Sequence, residues 1–195
     1  MKAVTSLLIT ALYTVFVQNL VVSSGLGLSE AIRVSDKKGM FVRLALMISG
    51  FSTATGFICA LIDKYSASLE QFYVKAAVYG GVLALLYFIS AVFAKAIFRA
   101  DKETMGILGI SALNTLVYAV PYINNSGAYS IAESIGSGIG AGFAFVIAAA
   151  LIGSGAIILK ENDDIPEIFK GTPAMFIYVG IISLGFSGFT GTTIF

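Results

Sequence analysis

Histidine is absent from this chain, and cysteine occurs once, at Cys59. Without histidine the commonest catalytic base and imidazole metal ligand are missing, and a Ser-His or Cys-His nucleophile pair is excluded. One thiol cannot form an intramolecular disulfide, a Cys-x-x-Cys pair or a thiol-based zinc site within this chain alone. Because Cys59 lies in the middle of an apolar block, we expect it to be a small packing residue.

Charge is scarce as well. Charged residues make up 12% of the 195 residues and hydrophobic residues 57%, and the net charge is +1. Soluble globular chains average about 45–50% apolar and about 25% charged residues. A soluble fold of this size could not bury so much apolar surface, and the near-neutral charge offers no electrostatic basis for binding nucleic acid. The composition therefore predicts an all-α integral membrane protein.

Six apolar blocks are each long enough to cross about 30 Å of hydrocarbon as a helix. They run from Ala3 to Val22, Met40 to Ile62, Phe72 to Phe98, Met105 to Ile123, Ile131 to Leu159 and Pro173 to Phe195. The connections are too short to house a soluble domain, so we expect one membrane domain over residues 1–195. The first block could also be a signal peptide, but its length and the lack of an A-x-A-like site favour a span.

The positive charges predict the orientation. Nine of the twelve Lys and Arg residues follow the first, third and fifth spans: Arg33, Lys37, Lys38, Arg43, Lys95, Arg99, Lys102, Lys160 and Lys170. Positive residues near helix ends stay cytoplasmic. Both termini are therefore expected outside. Because an odd number of crossings reverses direction, three spans followed by three more also place the two halves, about 1–98 and 99–195, in opposite orientations. This arrangement predicts an inverted repeat.

Small and polar residues interrupt the first and fourth spans. In span one they are Ser23, Ser24, Gly25, Gly27, Ser29 and Glu30, and in span four Gly109, Ser111, Asn114 and Pro121. Corresponding interrupted spans indicate a site at the bilayer midplane, where unpaired backbone groups can face a ligand. The alternative is that these residues only allow close helix packing, which is also our interpretation of Gly136, Gly138, Gly140 and Gly142 in span five.

Three stretches resemble the Rnf/Nqr family of integral membrane subunits. Within this family the resemblance is nearest to the Rnf A subunit or the E subunit of sodium-pumping NADH:quinone reductase. Residues 19–35, NLVVSSGLGLSEAIRVS, are similar to the first-helix motif N-x6-L-G-x-C-x4-V-S. AESIGSGIGAGFAF resembles the family's fifth helix, and DIPEIFKGTPAMFIYVGIISLGFSGFTG resembles its ending. The similarity extends over nearly the whole chain.

The resemblance implies a subunit of a prokaryotic inner-membrane complex that couples electron flow from ferredoxin or NADH to the movement of Na⁺ or H⁺. In the family, a cysteine in each broken helix joins two from a paralogous six-helix subunit of opposite topology to hold an iron–sulfur cluster. Here Ser29 occupies the first cysteine position, and Asn114 or Thr115 the second, depending on the register. Since neither a hydroxyl nor an amide is a normal cluster ligand, we expect a cluster only if partners supply its ligands. Flavins and other clusters would belong to partner subunits.

Three functions stay open at this point. The first is a structural and ion-path subunit of such an electron-transport complex, not catalytic by itself, with Ser29, Asn114 and Thr115 lining the former cluster site. The second is a small membrane transporter or channel that kept the fold and exchanged the redox site for a polar one. The third is an assembly scaffold, suggested by the glycine-rich fifth span.

Overall fold

The computed structural model describes residues 2–34, 38–66 and 71–190. Within these ranges the chain forms nine α-helices and no strand. The helices are α1 (Lys2–Phe16), α2 (Leu20–Ser24), α3 (Leu28–Val34), α4 (Lys38–Tyr65), α5 (Phe72–Ala96), α6 (Lys102–Ala112), α7 (Thr115–Ser126), α8 (Ile131–Glu161) and α9 (Thr172–Thr190). Ser35 of the first motif and residues 191–195 of the last predicted span lie outside the described residues.

Five of the predicted spans are long and apolar enough to cross a membrane: Gly39–Tyr65, Phe72–Ala96, Lys102–Ser126, Ile131–Glu161 and Thr172–Phe189. The third of these joins α6 and α7. Helix α1 is apolar but has only 15 residues. The prediction of an all-α, multi-pass membrane protein is confirmed, while the first predicted span is divided among α1, α2 and α3.

The first span breaks twice, and the first break comes earlier than predicted. Helix α1 ends at Phe16, and Asn19 caps the start of α2 by accepting a hydrogen bond from the Val22 amide at 3.3 Å. The Asn19 side chain also donates to the Val15 carbonyl at 3.1 Å and to that of Ala144 in α8 at 3.3 Å. An asparagine side chain that bonds nearby backbone groups competes with the hydrogen bonds of the helix. The helix is therefore interrupted before Asn19, although the residues around it are apolar.

The fourth span breaks once, between α6 and α7. Leu113 ends α6, and the side chain of Asn114 caps α7 by accepting one of its backbone N–H groups at 2.8 Å. Gly109 and Ser111 lie inside α6, and Pro121 lies inside α7 without ending it. The prediction that Asn114 interrupts the span is therefore confirmed, and the prediction that Gly109, Ser111 and Pro121 do so is wrong.

Helix α8 lies at the centre of the bundle, between α1 and α4. A Cβ at Gly140 would lie 2.6 Å from the carbonyl oxygen of Ala11 in α1, and Gly136 meets α1 at Leu7 in the same way. Gly138 and Gly142 meet the other neighbour, α4. Two glycine faces thus let two helices approach the α8 backbone closely, which confirms the packing interpretation.

Helices α5 and α9 form much of the apolar outer surface. Large side chains such as Phe88, Phe93, Ile181 and Leu184 are more than half exposed. Exposed apolar surface on this scale is expected where a protein faces lipid or a partner.

Candidate functional site

The two breaks that follow α2 and α6 contact each other. The Gly27 amide donates a hydrogen bond to the Thr115 hydroxyl at 2.9 Å, across 88 positions of sequence. Gly27 is buried with φ +76°, and a Cβ there would lie 2.8 Å from Oδ1 of Asn114. Both the left-handed backbone and the close approach therefore require glycine. Interruptions that are far apart in the sequence thus lie side by side.

Glu30 joins two of the three predicted site residues, Ser29 and Asn114. Its carboxylate accepts a hydrogen bond from the Ser29 hydroxyl at 2.8 Å and one from the Asn114 amide at 3.4 Å. Asn114 is buried, Glu30 is half-buried, and Ser29 and Thr115 are exposed. The structure thus brings Ser29, Asn114 and Thr115 together, and it adds a carboxylate that the sequence placed only beside the first interruption.

A shallow depression of about 450 Å³ adjoins this site. Glu30 and Leu113 line it from the two breaks, and Tyr87 lines it from α5. Leu113 is 75% exposed, which leaves an apolar side chain open to the surroundings beside polar ones. The paired breaks therefore lie at the surface of this chain.

The residues at the breaks do not fit an iron–sulfur cluster. Cluster irons are held by soft thiolates, whereas Ser29 and Thr115 are hydroxyls already bonded to Glu30 and Gly27. The one thiol, Cys59, is buried in α4, where its electrostatic neighbours include Asp63. In the described part of the chain, no three His, Cys, Asp or Glu side chains are grouped to hold a metal ion.

A second polar cluster joins the end of α4 to α5 and α7. One oxygen of Asp63 accepts hydrogen bonds from the Tyr79 hydroxyl at 2.5 Å and from the Asn125 amide at 3.1 Å. Lys75 donates to the Asn125 carbonyl oxygen at 2.8 Å. The amide of Asn125 therefore separates the ammonium group from the carboxylate.

A cavity of about 700 Å³ opens beside this cluster. Its wall includes Asp63, Asn124 and Ser134, and Lys2 and Lys64 also line it. Tyr129, in the turn before α8, lines it too, and burial raises the pKa of this phenol, so it stays neutral at physiological pH. The cavity is a recess with several polar side chains in a largely apolar wall. It lies at the end of the bundle where α1 and α8 begin and α4 and α7 terminate.

Several buried polar groups in this region have no hydrogen-bond partner within the protein. They are both amide atoms of Asn124, the hydroxyls of Ser134, Thr55 and Ser52, and Oδ1 of Asp63. Hydroxyls elsewhere in the helices do bond the carbonyl four residues earlier, as Thr53, Ser111 and Ser154 show. Of these groups, those of Asp63, Asn124 and Ser134 belong to residues that line the cavity, where a ligand could reach them.

Sequence reasoning missed this second cluster. The available signal was the position of Asp63 and of the pair Asn124–Asn125 at the ends of the second and fourth predicted spans, on one predicted side of the membrane. Polar residues at span ends are ordinarily solvated, so only their convergence in three dimensions distinguishes them.

Together the helices, the paired breaks and the recess define a multi-pass membrane protein with polar sites at its surface and at one end of its bundle. The model of the family described as "Rnf-Nqr subunit, membrane protein" matches residues 7–193. The chain belongs to this family, as its resemblance implied.

Named relatives are similar over nearly their full length. The chain is 26% identical to the A subunit of an ion-translocating oxidoreductase complex from Pasteurella multocida, covering 96% of this chain and 98% of the relative. It is also 26% identical to the E subunit of a Na(+)-translocating NADH-quinone reductase from Nitrosomonas europaea, with 98% of each covered. The corresponding A subunit from Rhodobacter capsulatus is 27% identical over 94% of this chain and 96% of its own.

Proposed function

We propose that this chain is a membrane subunit of an ion-translocating oxidoreductase complex of the Rnf/Nqr type, without a catalytic group of its own. Its relatives are named as subunits of such complexes. The observation that carries the proposal is the contact between the two breaks, where the Gly27 amide bonds Thr115. This contact gathers the residues proposed to replace the family's cluster cysteines, with Ser29 and Thr115 exposed and Asn114 buried.

An inverted repeat is part of this proposal. The order of helices supports it, since a broken helix followed by a long central helix and a peripheral helix occurs twice, ending in α4–α5 and in α8–α9. Asparagine caps the piece after a break in both halves, at Asn19 and Asn114. The positive charges favour both termini outside. The bacterial relatives favour a prokaryotic inner membrane.

The exposed patch of Ser29, Leu113 and Thr115 is the proposed contact with a paralogous six-helix subunit of opposite topology. Flavins and iron–sulfur clusters belong to the partners, and any cluster at this contact takes its ligands from them. Glu30 is the charged group of this chain at the breaks, and carboxylates inside membrane proteins typically serve ion or proton paths. The chain's own contribution is therefore to the movement of Na⁺ or H⁺.

Co-purification tests this function. An affinity-tagged full-length chain from native membranes is expected to bring down subunits that contain flavin and iron–sulfur clusters. Leu113→Trp adds bulk at the patch and is expected to remove them, whereas Leu184→Trp adds the same bulk on the exposed face of α9 and retains them. Recovery of a lone chain from the unaltered membrane would contradict the proposal.

The polar recess favours a second candidate, a small transporter or channel. Its unpartnered amide and hydroxyl groups offer a route for an ion or small solute. Flux across liposomes containing only this protein would support it, and no flux with or without a gradient would reject it. The α8 glycines pack against α1 and α4 of the same chain, so they give no support to a separate scaffolding function.

A further inference from the structure

We infer that the recess between α4, α7 and α8 is a Na⁺ site, with Asp63, Asn124 and Ser134 as its oxygen ligands. The inference deepens the proposed ion-translocating function, because it gives the ion a place in this chain. It requires no redox partner, since all three side chains belong to one polypeptide.

Asp63 supplies the charge. Its Oδ2 is occupied by Tyr79 and Asn125, while Oδ1 is buried and has no protein partner. Among the described residues, no Lys or Arg forms an ion pair with this carboxylate. Asp63 is half-buried and lines the recess, so its unpartnered oxygen can attract a cation that enters there.

Asn124 and Ser134 supply neutral oxygens. Both line the same recess as Asp63, Asn124 is 4% exposed, and Ser134 is fully buried. Gly56 brings them together, since a Cβ there would lie 3.2 Å from the Asn124 amide nitrogen and 3.2 Å from the Ser134 backbone carbonyl. Asp63 lies two turns after Gly56 in α4, so α4, α7 and α8 each contribute one unpartnered polar group, a carboxylate, an amide and a hydroxyl, to the wall of the same recess.

This set of ligands fits a small, hard, monovalent ion. Carboxylate, amide and hydroxyl oxygens are hard donors that suit alkali and alkaline-earth cations rather than soft metals. Lys2 and Lys64 line the same recess, and their charges repel a divalent ion twice as strongly as a monovalent one.

The unpartnered groups continue inward from the recess. Thr55 precedes Gly56, and Ser52 lies one helical turn before it, against Gly138 of α8. Each keeps a free hydroxyl between packed helices. The proposed Na⁺ site therefore lies at the outer end of a row of polar groups, on the side predicted to face outward.

The test measures ²²Na⁺ binding to the purified full-length chain in lipid nanodiscs. Saturable binding is expected, and Asp63→Asn should weaken it by about tenfold or more because the charge-assisted contact is lost. Ser134→Ala should weaken it severalfold. Ser154→Ala is the matched control, since this serine is also in α8 but is exposed and bonded to Ala150. Lys64→Gln should strengthen binding by removing a repelling charge.

Absence of saturable Na⁺ binding by the unaltered chain would overturn the inference, and so would equal affinity of Ser134→Ala and Ser154→Ala. If Asp63→Asn does not fold, as judged by gel filtration, the Ser134 and Lys64 variants decide the question. Co-purification of redox partners is unaffected by either result, so failure of the Na⁺ site and failure of the proposed complex are distinguishable.

Discussion

Replacing Gly27 and Gly25 separately by alanine isolates the contact between the two broken helices. Both glycines have positive φ, +76° and +69°, so each substitution carries the left-handed backbone cost of about 1–2 kcal/mol. They differ in surroundings. A Cβ at Gly25 meets nothing within 4 Å, whereas one at Gly27 lies 2.8 Å from Oδ1 of Asn114.

The additional cost at Gly27 follows from that geometry. Forcing a methyl group into packed surroundings costs about 1–3 kcal/mol, and loss of the Asn114 cap costs about 1 kcal/mol. Because the Asn114 side chain either stays against the new methyl group or moves and loses the cap, Gly27→Ala should destabilise the protein by about 1–3 kcal/mol more than Gly25→Ala. Equilibrium unfolding of the full-length protein in mixed micelles, followed by circular dichroism, measures both. Equal losses would refute the conclusion that the two breaks are in contact.

Three further predictions concern local packing and capping. Thr115→Val should cost about 1–3 kcal/mol in the same unfolding assay, because a buried backbone N–H loses its acceptor, and Thr115→Ser should restore most of it. Gly140→Ala should lower the free energy of unfolding by about 1–3 kcal/mol, because the new methyl group separates α8 from α1. Gly180→Ala is the control, since its Cβ would meet nothing within 4 Å and no measurable loss of stability is expected. Equal losses would argue against the central place of α8. Hydrogen bonds from Thr104, its side chain first, lower the pKa of Asp101. The stability that these bonds add is therefore complete above the unfolded-state pKa of about 3.9 and is lost as pH falls through the lower pKa of the folded state. An NMR titration should find the Asp101 midpoint below about 3.9 in the native chain and closer to about 3.9 in Thr104→Val.

The class of protein and most of its spans could be predicted from the sequence, because hydropathy and length decide which segments cross a bilayer. The motif also singled out Ser29, Asn114 and Thr115, which lie together in the structure and whose role stays a prediction. The end of α1 was not predicted, because Asn19 outweighs the hydropathy of its neighbours by bonding Val15 and Ala144. Pro121 was predicted to interrupt the fourth span, but it lies inside α7, which packs against neighbouring helices and continues through it.

What the sequence by itself determined is therefore an all-α, multi-pass membrane protein with a single cysteine and no histidine. The tertiary structure decided which polar groups meet. Gly27 reaches Thr115 across 88 positions, and Asp63 shares a recess with Asn124 and Ser134. The first meeting depends on the close approach of Gly27 to Asn114, and the second on the spacing of α4, α7 and α8, where Gly56, Gly138 and Gly142 meet residues far away in the chain.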